Sequence, residues 1–223
     1  MDGDGPAPTR RYGEVEATAA VLVRRVLAAQ PTLGATRLVC VDGAAGAGKT
    51  TLGAALDRGF HDALPAAWST DRPAGAASPG RHDVLTLHMD DLFHGWHGVD
   101  AGIATLTESV LAPVRRGEPG RYRRWDWHRD GFAEERLVHP VAVLVVEGVG
   151  SGALAHAAAI TCLAWVDAPS RTRLERGLAR DGEALREHWL AFRAEESARF
   201  ARERTRERAD VVVDGLSGRL RSS

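Results

Sequence analysis

Gly43-Ala44-Ala45-Gly46-Ala47-Gly48-Lys49-Thr50 lies between an apolar run, residues 38–41, and a run compatible with a helix, residues 52–56. A strand, a glycine-rich loop and a helix in this order are the context in which the pattern G-x-x-x-x-G-K-[ST] binds phosphate. Glycines let backbone amides approach an anion closely, and the start of the helix adds a favourable dipole. The pattern therefore predicts a phosphate-binding loop; an ordinary glycine-rich turn is the alternative.

Two side chains of this loop have their own predicted roles. Lys49 is predicted to contact the terminal phosphates of ATP, and the Thr50 hydroxyl to ligate Mg²⁺. Among the 29 lysine and arginine residues Lys49 is the only lysine, and a compact ammonium fits between phosphate oxygens better than a planar guanidinium. The predicted nucleotide-binding residues are Gly43, Ala44, Ala45, Gly46, Ala47, Gly48, Lys49, Thr50 and Thr51.

Five short apolar runs are predicted to be β-strands. Several are apolar at consecutive positions, which is typical of parallel strands covered by helices on both faces. Helix-compatible segments alternate with them, and this alternation predicts a three-layer α/β/α fold around a mostly parallel five-stranded sheet. The predicted strands are 37–41, 84–88, 141–146, 161–166 and 211–213, and the predicted helices are 12–30, 49–59, 103–116, 170–180 and 182–208.

Length and composition predict one globular domain. With 223 residues, 44% hydrophobic and 26% charged, we expect a disordered tail over 1–9, one domain over 10–223 and a mobile surface loop over 65–82. The net charge of −1 argues against a nucleic-acid coat. No apolar run is long enough to span a membrane, and no secretion signal is recognised, so we expect no membrane partner and a cytoplasmic location. Cys40 and Cys162 fall within predicted strands and are expected to be buried thiols.

Acidic residues follow two of the predicted strands. Asp90 and Asp91 come just after residues 84–88, and Glu147 ends the run 143–146. Because ligands bind beyond the carboxyl ends of strands in open parallel sheets, these acids should face the same cleft as the loop. Asp90 is predicted to be the base or orienting carboxylate for a substrate hydroxyl, with a secondary contact to Mg²⁺, and Glu147 a Mg²⁺ ligand. Helix capping by either aspartate and a solvent-facing Glu147 are the alternatives.

Two further segments have distinct patterns. The segment 122–139, in which aromatic residues alternate with charged ones, is predicted to form a hairpin-like flap with a turn at Asp130-Gly131. Arg173, Arg176 and Arg180 lie three and four residues apart, so they share one helix face and could stabilise a transferring phosphoryl group. Solvated surface arginines are the alternative. The later run 199–208, rich in arginine and glutamate, is predicted to be an exposed, salt-bridged helix.

The ordered motifs resemble those of the uridine kinase family, which is grouped with phosphoribulokinase and bacterial pantothenate kinase. The resemblance spans roughly residues 36–215, most of the chain, and besides the loop its matching segments are M-D-D-L-F (89–93), R-W-D-W (124–127), V-V-E-G (145–148), V-D-A-P-S-R-T-R-L-E-R-G-L-A-R-D (166–181) and A-D-V-V-V-D-G (209–215). The resemblance implies a P-loop kinase fold with a flap at about 120–139 and an arginine-rich lid at about 170–186. It also implies an enzyme that transfers the γ-phosphate of ATP.

The resemblance further implies an acceptor and its contacts. Asp90 matches the aspartate that activates a nucleoside 5′-hydroxyl, and Glu147 matches the Mg²⁺-associated glutamate. Arg173, Arg176 and Arg180 match the lid arginines, and the resemblance implies that they are catalytic together with Lys49 and Asp90. The implied substrate residues are Asp91, Phe93, Trp125, Asp126, Trp127 and His128. Asp100 is one candidate for a ribose-binding acid.

Alternative functions remain at this point. The acceptor could be another small alcohol, such as a pantothenate-like acid or a sugar phosphate, or the chain could be a nucleotide-dependent switch. An Asn-Lys-x-Asp motif, which recognises guanine, does not occur in the sequence. The partner is thus expected to be a small-molecule acceptor and not a nucleic acid, with a homo-oligomer left open.

Overall fold

A computed structural model describes residues 8–64 and 83–221, so the predictions for residues 1–7 and for the 65–82 loop lie outside the described residues. Its centre is a parallel five-stranded sheet with the strand order β2-β5-β1-β6-β7. These strands are β1 (Arg37–Asp42), β2 (Val84–His88), β5 (Val143–Glu147), β6 (Ile160–Asp167) and β7 (Val211–Asp214). The predicted sheet is confirmed, and each observed strand overlaps its predicted run.

Helices cover both faces of the sheet. They are α1 (Pro8–Ala28), α2 (Lys49–Ala63), α3 (Val99–Ala104), α4 (Ala112–Arg115), α5 (Ser170–Asp181), α6 (Arg186–Glu203) and α7 (Thr205–Arg208). A π-helical stretch, Thr105–Leu111, joins α3 to α4, and short 3₁₀ turns occur at Met89–Asp91, Leu154–Ala159 and Glu183–Leu185. The first helix begins four residues earlier than predicted, inside the expected tail.

The core forms two layers because strand side chains alternate between the faces. On one face, Val39 and Val41 of β1 pack with apolar residues of α1 and α2. On the other, Leu38 and Cys40 pack with the helical run that follows Val99 and with Phe192 of α6. Burial on both sides explains why the strands are apolar at consecutive positions. Cys40 and Cys162 are buried and free, as predicted.

A two-stranded antiparallel hairpin lies outside this sheet and confirms the predicted flap. It consists of β3 (Gly120–Asp126) and β4 (Gly131–Val138), which pair along most of their length. Asp130 has a φ of 49°, a left-handed conformation that aspartate tolerates better than most residues, so it closes the turn. Tyr122 packs into the core beside the helical run, which anchors the flap at its base.

The prediction for the C-terminal helical region is confirmed only in part. Arg202, Arg204 and Arg206 are exposed and form ion pairs, as predicted, but Glu196, Arg199 and Glu203 of α6 are buried. They follow Trp189 and Phe192 at helical spacing, so charged residues continue an apolar face of α6. Arg204 then adopts a φ of 52° and separates α6 from α7. Asp100, the candidate ribose-binding acid, pairs with Arg199.

The length and hydropathy of the helices decide whether any of them could cross a membrane. Across residues 8–64 and 83–221, none of them combines the length and the apolar character that a bilayer crossing requires.

Candidate active site

Strand register brings the predicted acids to the phosphate-binding loop. In the parallel sheet, Glu147 at the end of β5 pairs with Val41 of β1 on one side and with His88 of β2 on the other. The loop 43–50 leaves β1 just after Val41, and Asp90 follows His88. The carboxyl ends of three adjacent strands thus supply the loop, Glu147 and Asp90 to one edge of the sheet.

The loop has the backbone conformation that anion binding requires. Gly43, Gly46 and Gly48 have φ values of 144°, 78° and 107°, which residues other than glycine rarely adopt. A Cβ at Gly46 would lie 2.4 Å from the carbonyl oxygen of Arg173, so α5 packs directly on the loop backbone. The helix α2 begins at Lys49, which leaves the amides of its first turn without partners inside the helix.

The ammonium of Lys49 folds back over the loop. Its Nζ donates to the carbonyl oxygens of Gly43 and Ala44, at 2.8 and 3.2 Å. The side chain is almost fully buried. A lysine held in this way keeps a positive charge against the inner side of the loop, where terminal phosphates are expected.

Thr50, Glu147 and His88 form a hydrogen-bonded group. The Thr50 hydroxyl donates to Glu147 Oε1 at 3.1 Å, and His88 Nδ1 lies 2.6 Å from the same oxygen. Glu147 is buried, whereas His88 is half-exposed. The hydrogen bond and the charge of Glu147 raise the pKa of His88 above its usual value.

Asp90 shares the electrostatic environment of these residues. Burial raises the pKa of Asp90 from its usual value; the charge of Lys49 opposes this effect, and that of Glu147 adds to it. An aspartate with a raised pKa that is held near a cation is suited to accepting a proton from a hydroxyl. The neighbouring Asp91 turns towards the flap, and its carboxyl is hydrogen-bonded to Tyr122.

Asp42 joins the phosphate-binding loop to the loop after Glu147. Its side chain is fully buried at the end of β1 and accepts from the amides of Gly43, Gly150 and Gly152, at 2.7, 3.1 and 2.9 Å. Burial raises the pKa of Asp42 to about 6, against the lowering effect of these hydrogen bonds and of Lys49. This carboxyl therefore fixes the distance between the two loops that carry Lys49 and Glu147.

The three arginines of α5 face different partners. Arg173 donates from Nε to the Ala168 carbonyl and from Nη1 to Glu196. Arg176 donates to the carbonyl oxygens of Gly46, Ala47 and Gly215, at 3.2 to 3.4 Å. Both guanidinium groups thus contact the outer side of the phosphate-binding loop or residues next to it.

Arg180 is the arginine of α5 that is coupled to the acids of the cleft. The hydrogen bond to Asp181 is the largest cause of the raised pKa of Arg180. The charges of Asp90 and Glu147 raise this pKa further. Its guanidinium carbon lies 5.8 Å from the ring centre of Trp189. Asp181 in turn accepts from Trp189 Nε1 at 3.0 Å, so the two residues together orient Arg180 at the end of α5.

The flap reaches the cleft through two tryptophans. Trp127 Nε1 donates to the backbone carbonyl of Asp90 at 3.0 Å. Trp125 stacks on His94 and makes an edge contact with Phe132. Its Nε1 atom is buried and has no hydrogen-bond partner within the described part of the chain. The hairpin is therefore held against the segment that follows β2, next to Asp90.

Trp96 connects the flap to α6. Its ring makes edge contacts with Trp127 of the flap and with Trp189 and Phe192 of α6, with ring centres 5.7 to 6.1 Å apart. It also stacks on His188 at 5.6 Å. Aromatic contacts of this kind link β2, the hairpin and α6 around the opening of the cleft.

Other predicted substrate residues have local contacts. Phe93 is only 1% exposed and packs in the core near Phe192. The Asp126 carboxylate accepts from the amides of His128 and Arg129, and so caps the turn of the flap. Substrate contact by these side chains stays a prediction.

The hydroxyl of Thr50, at the C-terminal end of the loop, and the carboxylate of Glu147 are oxygen groups that fit Mg²⁺. Within residues 8–64 and 83–221, no group of three or more His, Cys, Asp or Glu side chains could hold a metal ion. Mg²⁺ commonly takes one or two protein oxygens and completes its coordination with phosphates and water. The adjacent hydroxyl of Thr50 and carboxylate of Glu147, 3.1 Å apart, match this requirement.

Sequence reasoning gave no role to Asp42, His88, Trp96 or Glu196. Asp42 carried a signal, because an acid within a buried apolar run must find hydrogen-bond donors. His88 stood beside the predicted acids but had no motif of its own. Glu196 carried no signal, since an acid among arginines and glutamates is typical of a solvated helix.

Comparison with known proteins gives similarity at the level of structure. No family model matches the sequence, and no curated protein matches it. A candidate uridine kinase from Bacillus stearothermophilus aligns with a TM-score of 0.61 and 19% identity, covering 89% of this chain and 98% of the other.

Two further solved structures align over most of their length. A candidate fructose transport system kinase from Silicibacter sp. TM1040 gives a TM-score of 0.51 and 19% identity, with 87% of this chain and 94% of the other covered. The YGR205w protein gives 0.50 and 11%, with 84% and 88% covered. The parallel sheet, the loop after β1 and the outer hairpin, together with these similarities, show that the chain has the fold of P-loop kinase structures.

Proposed function

We propose that this protein is an ATP- and Mg²⁺-dependent kinase that transfers the γ-phosphate to a hydroxyl of a small molecule, most specifically the 5′-hydroxyl of a nucleoside. One observation carries the proposal. The hydroxyl of Thr50 at the head of the phosphate-binding loop contacts the buried carboxylate of Glu147 at 3.1 Å, and Asp90 lies in the same electrostatic environment. The proposed nucleotide site and the proposed acid for the acceptor therefore lie at one edge of the sheet.

Thr50, Glu147 and Asp90 would hold the metal in this proposal. When bound, Mg²⁺ neutralises charge that develops on the phosphate oxygens during transfer. The protein contributes the orientation of the ligands: α2 fixes Thr50, and the pairing of β5 with β1 and β2 fixes Glu147.

Asp90 would orient and deprotonate the acceptor hydroxyl. Asp90 is exposed, so an acceptor hydroxyl can reach its carboxylate, and its raised pKa makes it a better base than an ordinary aspartate. Lys49 and Arg180 would stabilise the charge on the transferring group, since phosphoryl transfer asks mainly for positioning and for opposing charge. Arg176 would act from outside the loop through the backbone carbonyls that it binds, and Arg173 through Glu196, which accepts from the Ala45 amide.

A nucleoside acceptor is supported by the flap and by one structural similarity. Trp127 hydrogen-bonds the backbone of Asp90, and Trp125 lies behind it on the same hairpin, so planar groups border the proposed hydroxyl site. Base stacking on aromatic side chains is a common mode of nucleobase recognition. The similar structure from Bacillus stearothermophilus is described as a candidate uridine kinase.

A sugar or another small alcohol is the second candidate acceptor. The observation that favours it is the similarity to a candidate fructose transport system kinase at the same identity, 19%. A nucleotide-dependent switch is a third class, but an acid such as Asp90 at the acceptor position favours transfer over signalling.

Acceptor-dependent release of ADP tests the proposal. Purified protein is supplied with ATP and Mg²⁺ and with one member of a panel of nucleosides, sugars, sugar phosphates and pantothenate. Stimulation by nucleosides alone supports the nucleoside proposal, and stimulation by sugars alone supports the second candidate. Slow ADP release that no acceptor stimulates contradicts the kinase proposal and favours a switch.

A further inference from the structure

The carboxylate of Glu196 lies between the phosphate-binding loop and the lid helix. It is 3% exposed, on the inner face of α6. Its Oε2 atom accepts from the amide of Ala45 at 2.7 Å, and its Oε1 atom accepts from Arg173 Nη1 at 3.1 Å. Each oxygen thus has a different partner, one on the loop and one on α5.

The loop amides differ in their contacts. Those of Gly43 and Ala45 are bonded to carboxylates, the first to Asp42 and the second to Glu196. The amide of Ala47 is bonded within the loop, to the Ala44 carbonyl, whereas for the amides of Gly46 and Gly48 no acceptor occurs within residues 8–64 and 83–221. Two carboxylates therefore hold the loop from outside, and the amides of Gly46 and Gly48 stay open to an anion.

The lid helix is tied to the same loop by backbone packing. The carbonyl of Arg173 lies so close to Gly46 that a Cβ there would approach it to 2.4 Å, and Arg176 bonds the Gly46 carbonyl. A change in the position of α5 would therefore move the loop. Glu196 connects both parts to α6, through bonds that are strengthened by charge.

We propose that Glu196 is a positioning residue for nucleotide binding: it holds the Ala45 amide and the Arg173 guanidinium in one arrangement, and so keeps the open amides of the loop in register with the lid. The inference rests on the proposed function, because it assigns the loop to a nucleotide. Burial raises the pKa of Glu196. The hydrogen bond from the Ala45 amide and the charges of Lys49 and Arg173 lower it and so favour the charged form.

The experiment compares nucleotide binding with stability in variants of the full chain. Binding of AMP-PNP with Mg²⁺ is measured by titration calorimetry, and the melting temperature by calorimetry of the same samples. Glu196→Gln keeps the size of the side chain, but its amide group must face one of the two donors. Glu195→Gln is the matched control, since the exposed Glu195 pairs with His97, a residue outside both the loop and α5.

We expect Glu196→Gln to weaken AMP-PNP binding by about tenfold. The variant loses a charged hydrogen bond, and the NH₂ group of its side chain faces the N–H donor of either Ala45 or Arg173. Glu195→Gln should bind as the wild type does. Loss of melting temperature in Glu196→Gln with unchanged binding would assign Glu196 a purely structural role and overturn the proposal.

A double-mutant cycle with Arg173→Gln tests whether the two residues act together. The double variant should weaken binding by less than the product of the single effects, since the same arrangement is lost in each. Multiplicative effects would show that Glu196 does not act through Arg173. A wild type that binds AMP-PNP but shows no acceptor-dependent turnover would contradict the kinase function alone. Normal turnover in the wild type with unchanged binding in Glu196→Gln would contradict this inference alone.

Discussion

The indole N–H of Trp127 donates a hydrogen bond to the backbone carbonyl of Asp90, at 3.0 Å. This contact joins the tip of the flap to the acid that is proposed to activate the acceptor. The flap therefore helps to fix the position of the proposed base. A change in the flap should alter the kinetic parameters for the acceptor more than those for ATP.

Replacing Trp127 with phenylalanine tests this relationship. Trp127→Phe keeps an aromatic ring near Trp96 but removes the donor to Asp90. We expect kcat/KM for the acceptor to fall about threefold to tenfold, the loss of one hydrogen bond, with KM for ATP unchanged. Leu137→Ala, at an exposed position on the same hairpin, is the control. A larger effect on ATP than on the acceptor would place Trp127 at the nucleotide.

Asp90→Asn should lower kcat by about 100-fold or more while ATP affinity stays close to that of the wild type, because a general base contributes to the rate and not to binding of the donor. Steady-state kinetics and AMP-PNP titration measure the two quantities. Asp130→Asn in the exposed turn of the flap should change neither. If only ATP affinity fell, Asp90 would be a contact of the nucleotide or the metal.

Lys49→Ala should reduce turnover by roughly 1000-fold or more, because it removes a charge that opposes the phosphates. Lys49→Arg should not restore activity, since a guanidinium is too broad for the position that Lys49 occupies against the carbonyls of Gly43 and Ala44. Circular dichroism should show that both variants are folded. Near-normal turnover in Lys49→Ala would reject the phosphate-binding loop.

Arg180 and Arg176 should differ in the quantity that they affect. Arg180→Ala removes the arginine that is coupled to Asp90 and Glu147, so kcat should fall by roughly 1000-fold at nearly unchanged melting temperature. Arg176→Ala removes bonds to three carbonyls near the loop, so the melting temperature should fall by roughly 3–8 °C. The opposite pattern, with loss of stability in Arg180→Ala alone, would contradict this division.

The stability of the protein should depend on the protonation of Asp42. Burial raises its pKa to about 6 in the folded state, above the ordinary value of 3.8. A carboxyl whose folded pKa is raised stabilises the protein below the unfolded pKa, and this contribution is lost as the pH rises through 6. Compared with Asp42→Asn, the wild type should lose of the order of 2 kcal/mol of unfolding free energy between pH 4 and pH 8.

Urea unfolding of both proteins at several pH values measures this difference. The Asn variant should also be less stable throughout, because an amide group would oppose one of the three backbone donors. A difference that grows in the other direction, with the wild type gaining stability as the pH rises, would show that the three hydrogen bonds outweigh burial.

The strands and the phosphate-binding loop could be predicted from sequence because their signals are local. Residues 38–41 are apolar at successive positions, and the glycines and Lys49 follow within ten residues. The helix predicted over 170–180 is confirmed as α5. Its arginines cannot be told apart from sequence, since Arg173, Arg176 and Arg180 share one face at regular spacing. Only packing against the loop separates Arg180 from the other two.

The C-terminal helical region shows why sequence failed elsewhere. Glu196, Arg199 and Glu203 alternate with other charges, which is typical of a helix in water, yet they are buried against the loop, Asp100 and each other. Apart from the pairs that Glu203 makes with Arg199 and Arg202 within α6, their partners lie 49 to 151 residues away or on another helix, and no pattern in the neighbouring residues indicates such partners.

The sequence by itself determined the elements of this protein: five strands, the loop that ends the first of them, and the acids at the strand ends. Hydrogen bonding and turn formation over a few residues fix such features, so local composition is enough. The tertiary structure alone decided that His88, Glu147 and Thr50 form one group, that Glu196 holds Ala45, and that Trp127 reaches Asp90. Those contacts depend on strand order and helix packing, which bring distant segments within hydrogen-bonding distance.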